Sequence, residues 1–307
     1  MHMTYCIPRT SSMHGMTHSH QRPANQRGVT LIELLVGITI GLLTIAVAMG
    51  ALMVSRGVSG TVSDASDIQQ QASYAFRVMG QQLRQAGSLK LKLAAAKDPS
   101  DTTPPLVGDP VAFETSFTAG DGSTFTLATD TLSGLDTPGA GEYALTVGYR
   151  NYTEPVYTSA SEQSLQRNCL GENGTTALVQ SRFILNTATN ELRCAGTGQP
   201  QPIIRNVAAF QVRYLMQTAA GSGSPNMRYV DAATVSADPL GWAQVFGVEV
   251  CLVLYGNEPI DLPAGSTYTD CDGATAVNMT TLAAPRNRRM HMVFRNVYQL
   301  RSQGLAG

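Results

Sequence analysis

The run QRGVTLIELLVGITIGLLTIAVAMGALMV, Gln26 to Val54, reads as lipid-soluble and yet carries one carboxylate. From Val29 to Val54 it holds 26 residues, and Glu33 is the only charge among them. A helix rises 1.5 Å per residue, so that length spans about 39 Å against a bilayer core of about 30 Å. The run is expected to cross a membrane once. Residues 1–28 contain Arg9, Arg22 and Arg27 and no acid. The positive-inside rule therefore holds this leader in the cytoplasm and sends the C-terminal bulk across.

A charge near the middle of a membrane helix costs roughly 2.5–3.5 kcal/mol on the insertion scale, so Glu33 needs a partner or a role. A cut after Gly28 would supply one. The new α-amino group on Val29 would stand one turn before Glu33, at i and i+4, or within reach of the Glu33 of a neighbouring copy. Gly37 and Gly41 form a small-xxx-small pair that permits another helix to approach closely. Gly50, Gly57 and Gly60 weaken the helix where the apolar run gives way to polar sequence, which predicts local melting there during assembly.

Arg27-Gly28 followed by VTLIELLV resembles the class III signal of type IV prepilins and related pseudopilins. The resemblance implies a membrane peptidase that cuts after Gly28 and methylates Val29, and a glutamate, Glu33, that helps the subunit enter a growing filament. Val29 stands where the family usually has phenylalanine, an apolar-for-apolar exchange. A plain signal anchor would need the glycine, the apolar residue and the carboxylate to coincide by chance. A secretory signal cut after Ala46-Val47-Ala48 does not fit an apolar stretch that continues without a polar break. The 28-residue leader is long for the family, and Met16 begins an alternative leader of 13 residues. His14, His18 and His20 lie in the piece expected to be removed and are not read as a metal site.

The whole chain has 307 residues, 43% hydrophobic and 14% charged, enough to bury a substantial core. Its formal net charge is −1, and loss of the leader leaves 18 basic residues against 22 acidic, a net of −4. Nucleic acid is not the expected partner of such a surface. Apart from Cys6 in the leader, the cysteines form two sequence-local pairs, Cys169 with Cys194 and Cys251 with Cys271. Loop closure favours neighbours over the other two connectivities, and the bridges would require an oxidising compartment; buried free thiols are the alternative.

Beyond Arg56, Val58, Val62, Ala65, Ile68, Ala72, Phe76, Met79, Leu83 and Ala86 recur at helical spacing and predict a helix that continues to about Gly87. Asp64, Asp67, Gln70, Arg77, Gln81 and Arg84 are expected on its outer surface. The remainder reads as strands. Phe246, Val248, Val250, Leu252 and Leu254 share one parity, as do Met290, Met292, Phe294, Tyr298 and Leu300, while FQVRY offers Phe210, Val212 and Tyr214. TALVQSRFIL and ELRC flank a turn at Asn186 to Asn190 and predict a hairpin. Loops are expected at Lys97 to Pro110, Ala195 to Pro202 and Ala219 to Pro225.

IIRNVAAFQVRYLMQT, GWAQVFGVEVCLVLYGNE and RNRRMHMVFRNVYQLRSQ resemble blocks of the PilW family of minor pilins. That family commonly ends its last strand in an Arg-Asn pair after a Leu, whereas Leu300-Arg301-Ser302 stands here. The reading that results is α+β and type IV pilin-like: a long N-terminal helix, transmembrane in its first half, followed by an antiparallel β-sheet domain. Its parts are a leader peptide at 1–28, a transmembrane or filament-core helix at 29–54, an amphipathic continuation at 55–90 and a β-rich periplasmic or extracellular domain at 91–307.

Chemistry is sparse in this sequence. His291 is the only histidine after the leader, alternates with core positions, and is expected to be solvated or interfacial. Asp270-Cys271-Asp272-Gly273, with Asp261 upstream, holds two oxygen ligands before a turn glycine but lacks the rest of a calcium loop. No phosphate loop, HExxH helix or GxSxG elbow is present, so neither an enzyme, a metal nor a cofactor is expected. The resemblance implies a minor pilin of type IV pilus assembly, in its initiation or tip complex, anchored in a bacterial inner membrane with its C-terminal domain periplasmic and then carried to the pilus. Its implied partners are other minor pilins, the major pilin, the prepilin peptidase, the inner-membrane assembly platform, membrane lipid and a large tip adhesin. A minor pseudopilin of a type II secretion system, a DNA-uptake pilin and a membrane-anchored enzyme are the competing readings.

Overall fold

The computed structural model describes residues 28–89, 91–92, 112–113, 116–119, 121–174, 176–218 and 226–300. The rest of the leader, with Cys6, Met16, its arginines and its histidines, lies outside the described residues, as do the loops expected at Lys97 to Pro110 and Ala219 to Pro225, and Arg301 and Ser302. The chain divides into two compact units, 1–54 and 55–307.

In the first unit, helix α1 (Leu31–Gln85) begins at Leu31, and Leu31–Met53 forms a 23-residue span of mean hydropathy 2.4. Leu31, Leu35, Ile40, Leu43, Ile45 and Met53 are all exposed. Among the described residues nothing covers them, which suits a surface meant for lipid or for other helices.

The second unit holds the rest of α1. Residues 50 to 60, where the glycines predict local melting, are helical here. The expected stripe is buried at Ile68, Ala72, Met79, Leu83 and Ala86 and is joined by Ala75, while Val62 stays exposed. Gly87 takes φ 65° and its N–H donates to the Gly148 carbonyl at 2.9 Å, a glycine stop to the helix. One expectation fails on this helix. Asp64 is buried rather than surface-facing, because its carboxylate accepts the backbone N–H of Glu258 at 2.8 Å.

Small strand pairs follow: β1 (Leu91–Lys92) with β2 (Ala112–Phe113), and β3 (Ser116–Thr118) with β4 (Thr124–Thr126). Helix α2 (Leu127–Asp130) leads into a five-stranded antiparallel meander of β5 (Leu132–Ser133), β6 (Leu145–Arg150), β7 (Leu178–Asn186), β8 (Glu191–Ala195) and β9 (Gln201–Ile204). The expected hairpin is β7 with β8, and Asn190 takes the left-handed φ of 53° that closes its turn. The loop expected at Ala195 to Pro202 is shorter than that reading, because Gln201 and Pro202 already pair in β9. β9 is an edge strand, where proline's missing N–H is tolerated.

The second sheet is antiparallel in the order β11 (Asn226–Val230), β10 (Val207–Thr218), β12 (Val245–Pro259), β15 (Arg289–Gln299). Helix α3 (Ala232–Ala237) connects β11 towards β12, and a small hairpin of β13 (Thr267–Thr269) and β14 (Ala276–Asn278) precedes β15. The α1 stripe shares one core with Val212 and Tyr214, with Val248, Val250, Leu252 and Leu254, and with Tyr298 and Leu300, on the parities expected. The other face of β12 is buried as well. Cys251 and Val253 form a second cluster with Cys271, packed by Tyr268 and Val293. A strand covered on both faces is apolar at every position, as VCLVLY is.

Both expected disulfides are present, Cys169–Cys194 with Cα atoms 6.4 Å apart and Cys251–Cys271 at 5.8 Å. The first ties the segment before β7 to β8, and the second ties β12 to the start of the β13–β14 turn.

Candidate functional site

At the start of α1, Thr30 and Glu33 cap the helix reciprocally. Glu33 Oε2 accepts the Thr30 N–H at 3.1 Å and the Thr30 hydroxyl at 3.1 Å, and the Glu33 N–H donates to that hydroxyl at 3.3 Å. This is a capping box, T-x-x-E directly before an apolar run. A carboxylate in the first turn also meets the positive end of the helix dipole. Beyond the cation that its charge requires, Glu33 thus has a second role, legible in the spacing of Thr30 and Glu33. All three bonds use Oε2 or the Thr30 hydroxyl, so Oε1 can serve another donor. Gly28 and Val29 precede the helix; Val29 is exposed, and none of the described residues lies within 4 Å of where a Gly28 side chain would begin. Gly37 and Gly41 are likewise open, leaving their backbone approachable.

In the second unit, polar groups on α1 fasten the helix to the sheets at both ends of its apolar stripe. Towards the N-terminal side, Asp64 holds the Glu258 N–H, Asp67 accepts from Asn257 at 3.4 Å, and Gln71 Oε1 accepts the Arg205 N–H at 3.1 Å. In the middle, the Tyr298 hydroxyl donates to the Phe76 carbonyl at 2.7 Å. The same ring lies over Gly80, where a Cβ would come within 2.6 Å of it. Burial pushes the Tyr298 hydroxyl up to about 12. Towards the C-terminal side, buried Gln82 accepts from the Ser181 hydroxyl at 2.9 Å, while the Tyr149 hydroxyl donates to the Arg167 carbonyl at 2.5 Å.

Of the two places expected for His291, solvated or interfacial, the solvated one is ruled out, because the side chain is buried. Its ring stacks on Tyr268 with centroids 4.8 Å apart, and Nδ1 donates to the Arg289 carbonyl at 2.9 Å. Nε2 is buried with no hydrogen-bond partner among the described residues. Burial holds the imidazole below its ordinary range, the Arg289 carbonyl opposes that, and Arg286 adds to it.

The three acids of the calcium-like fragment have separate tasks. Asp272 accepts from the Thr275 hydroxyl and from the N–H groups of Ala274 and Thr275, each at 2.8 Å; the hydroxyl and then these donors hold its carboxyl down at about 2. Asp270 accepts the Cys271 N–H at 2.7 Å, and Asp261 pairs with Arg288 at 2.9 Å. They serve the β13–β14 turn and its flank. Among the described residues, no group of three His, Cys, Asp or Glu side chains is placed to hold a metal.

With the helix, the capped N-terminus and the two sheets described, their counterparts among known proteins can be stated. Residues 23–49 match the prokaryotic N-terminal methylation motif, as the prepilin resemblance predicts. Residues 169–302 match the family model of type IV pilus-assembly protein W, and the two matches together support a minor-pilin role in the type IV pilus. The second match takes in the second sheet and both disulfides. The chain is also similar to a solved type IV-like pilin from Thermus thermophilus at 14% identity, covering 77% of this chain and 96% of that one, with a TM-score of 0.35. No curated protein sequence matches it significantly.

Proposed function

We propose that the chain is cut after Gly28 and methylated on Val29, leaving residues 29–54 as its filament-core helix and 55–307 as its periplasmic part, and that it starts or caps a type IV pilus. Glu33 has two tasks in this reading. Its Oε2 caps its own helix through Thr30, and its free oxygen receives the amino group of an adjoining subunit. The carrying observation is this capping box beside the accessible Gly28–Val29 bond, at the head of a span whose apolar side chains are all exposed. Gly37 and Gly41 offer the close approach that bundling needs.

The leader faces the cytoplasm and the sheets face the periplasm, in keeping with the leader arginines and with two disulfides, which persist in oxidising compartments. Partners are other minor pilins, the major pilin, the peptidase and assembly platform of the inner membrane, and a tip adhesin. The role is structural, resting on helix packing and charge pairing.

Glu33→Gln tests the two tasks separately, since glutamine keeps the capping acceptor and loses the charge. The variant is expected to be processed and inserted normally but to enter filaments poorly, read by quantifying it in sheared pili. Glu33→Leu should do the same, whereas Thr30→Ala, which keeps the carboxylate, should incorporate nearly as well as the parent. Normal incorporation of Glu33→Gln would remove the charge from the account.

A further inference from the structure

A groove of about 750 Å³ runs between α1 and the segment that leads to β7, within the second unit. Its charged lining is all positive: Arg77, Arg84 and Arg167. Arg77 and Arg84 are exposed, stand seven residues apart on one helix face, and have no carboxylate partner among the described residues. Arg77 lies over the Tyr74 ring at 5.5 Å, and Arg167 directs Nη1 to the Ser164 and Gln166 carbonyls. The neighbouring carboxylate, Glu172, is already engaged by Asn168 and Thr197 and does not neutralise the groove. Leu165, 57% exposed, and Leu170 give the same groove an apolar wall.

We infer that this groove receives an acidic, partly apolar segment of a neighbouring filament subunit. Residues 77 and 84 stand about 10 Å apart along the helix axis, so their long side chains can reach carboxylates about 7 or 13 Å apart, the spacings of same-face positions in an extended chain. The segment that fits is extended, with carboxylates at alternate positions that face α1 and apolar side chains between them that face the Leu165 wall. Arginine suits this use because its planar fork takes a carboxylate bidentately. The overall negative charge of the leaderless chain makes an isolated basic groove a specific feature, and a polyanion such as DNA would meet repulsion around it. This inference rests on the filament-subunit reading.

The full chain in neutral detergent micelles would be titrated with a fluorescent octapeptide of alternating glutamate and leucine. Its glutamine counterpart, a single-stranded oligonucleotide and phosphatidylglycerol vesicles would serve as competitors. The acidic peptide is expected to bind, to weaken as salt rises, and to bind roughly tenfold more weakly to Arg77→Gln/Arg84→Gln. Arg213→Gln/Arg228→Gln, which removes the same charge from the second sheet, should bind like the parent. Equal binding by both double variants, equal binding of the glutamine peptide, or preferential displacement by oligonucleotide or vesicles would overturn the inference. In the native host, Arg77→Glu/Arg84→Glu should lower filament number while the N-terminal peptide still begins at methylated Val29. An unprocessed N-terminus in the parent would instead count against the filament-subunit reading itself, and the two failures are thereby told apart.

Discussion

Residues 31–53 and residues 64–83 belong to one helix and treat their side chains in opposite ways. The first stretch leaves every large apolar side chain exposed and keeps Glu33, with its neighbour Thr30, as its polar device. The second buries Ile68, Ala72, Met79 and Leu83 and directs Asp64, Gln71 and Gln82 to partners in the sheets. The lesson is that apolar surface left without a partner inside the chain is surface kept for other molecules, whereas a polar group that finds a buried partner has become part of the fold.

Substitutions can break this contrast at several points. Leu83→Ala empties a fully buried position and should cost about 2–5 kcal/mol, while Leu35→Ala should leave unfolding of the second unit unchanged; urea titration of the full chain in micelles compares them. Equal losses would mean that the two stretches are not distinct. Asp64→Ala leaves the Glu258 N–H without its acceptor and should cost about 1–3 kcal/mol in the same assay, against near-neutrality for exposed Gln70→Ala.

Thr30→Ala removes one reciprocal cap and should cost about 1 kcal/mol of local helix stability, seen as faster amide exchange at residues 30–34 with no change at 64–83. The smallest effect expected is the pH response of His291. Its folded-state affinity for protons is depressed, so the unfolded chain binds the proton first as pH falls below about 6.5, and stability declines from there until the folded pKa is passed. Between pH 6.5 and 5 the parent should lose stability that His291→Phe does not. A parallel response in both chains would assign the loss to other groups.

What could be read from the sequence was what repeats or lies close. The α1 stripe and the β12 parity follow from periods of 3.6 and 2, the β7–β8 hairpin from its turn residues, and both disulfides from short loop closure. The burial of Asp64 and of His291 is not legible in the sequence, for one reason. A polar side chain is assigned to the surface unless its partner is known, and the partner of Asp64 is a backbone N–H 194 residues away. His291 is covered by Tyr268 from a hairpin whose packing no periodicity announces. Glu33 differs, because its cap partner is only three residues away and the motif was legible.

The most direct measurement is the mass of the N-terminal peptide of the protein from membranes of its native host, with the leader peptidase present and with it deleted. The account predicts a peptide that begins at N-methylated Val29 and disappears on deletion. An intact leader in both strains would contradict it, leaving residues 31–53 as a plain membrane anchor and Glu33 as a helix cap alone.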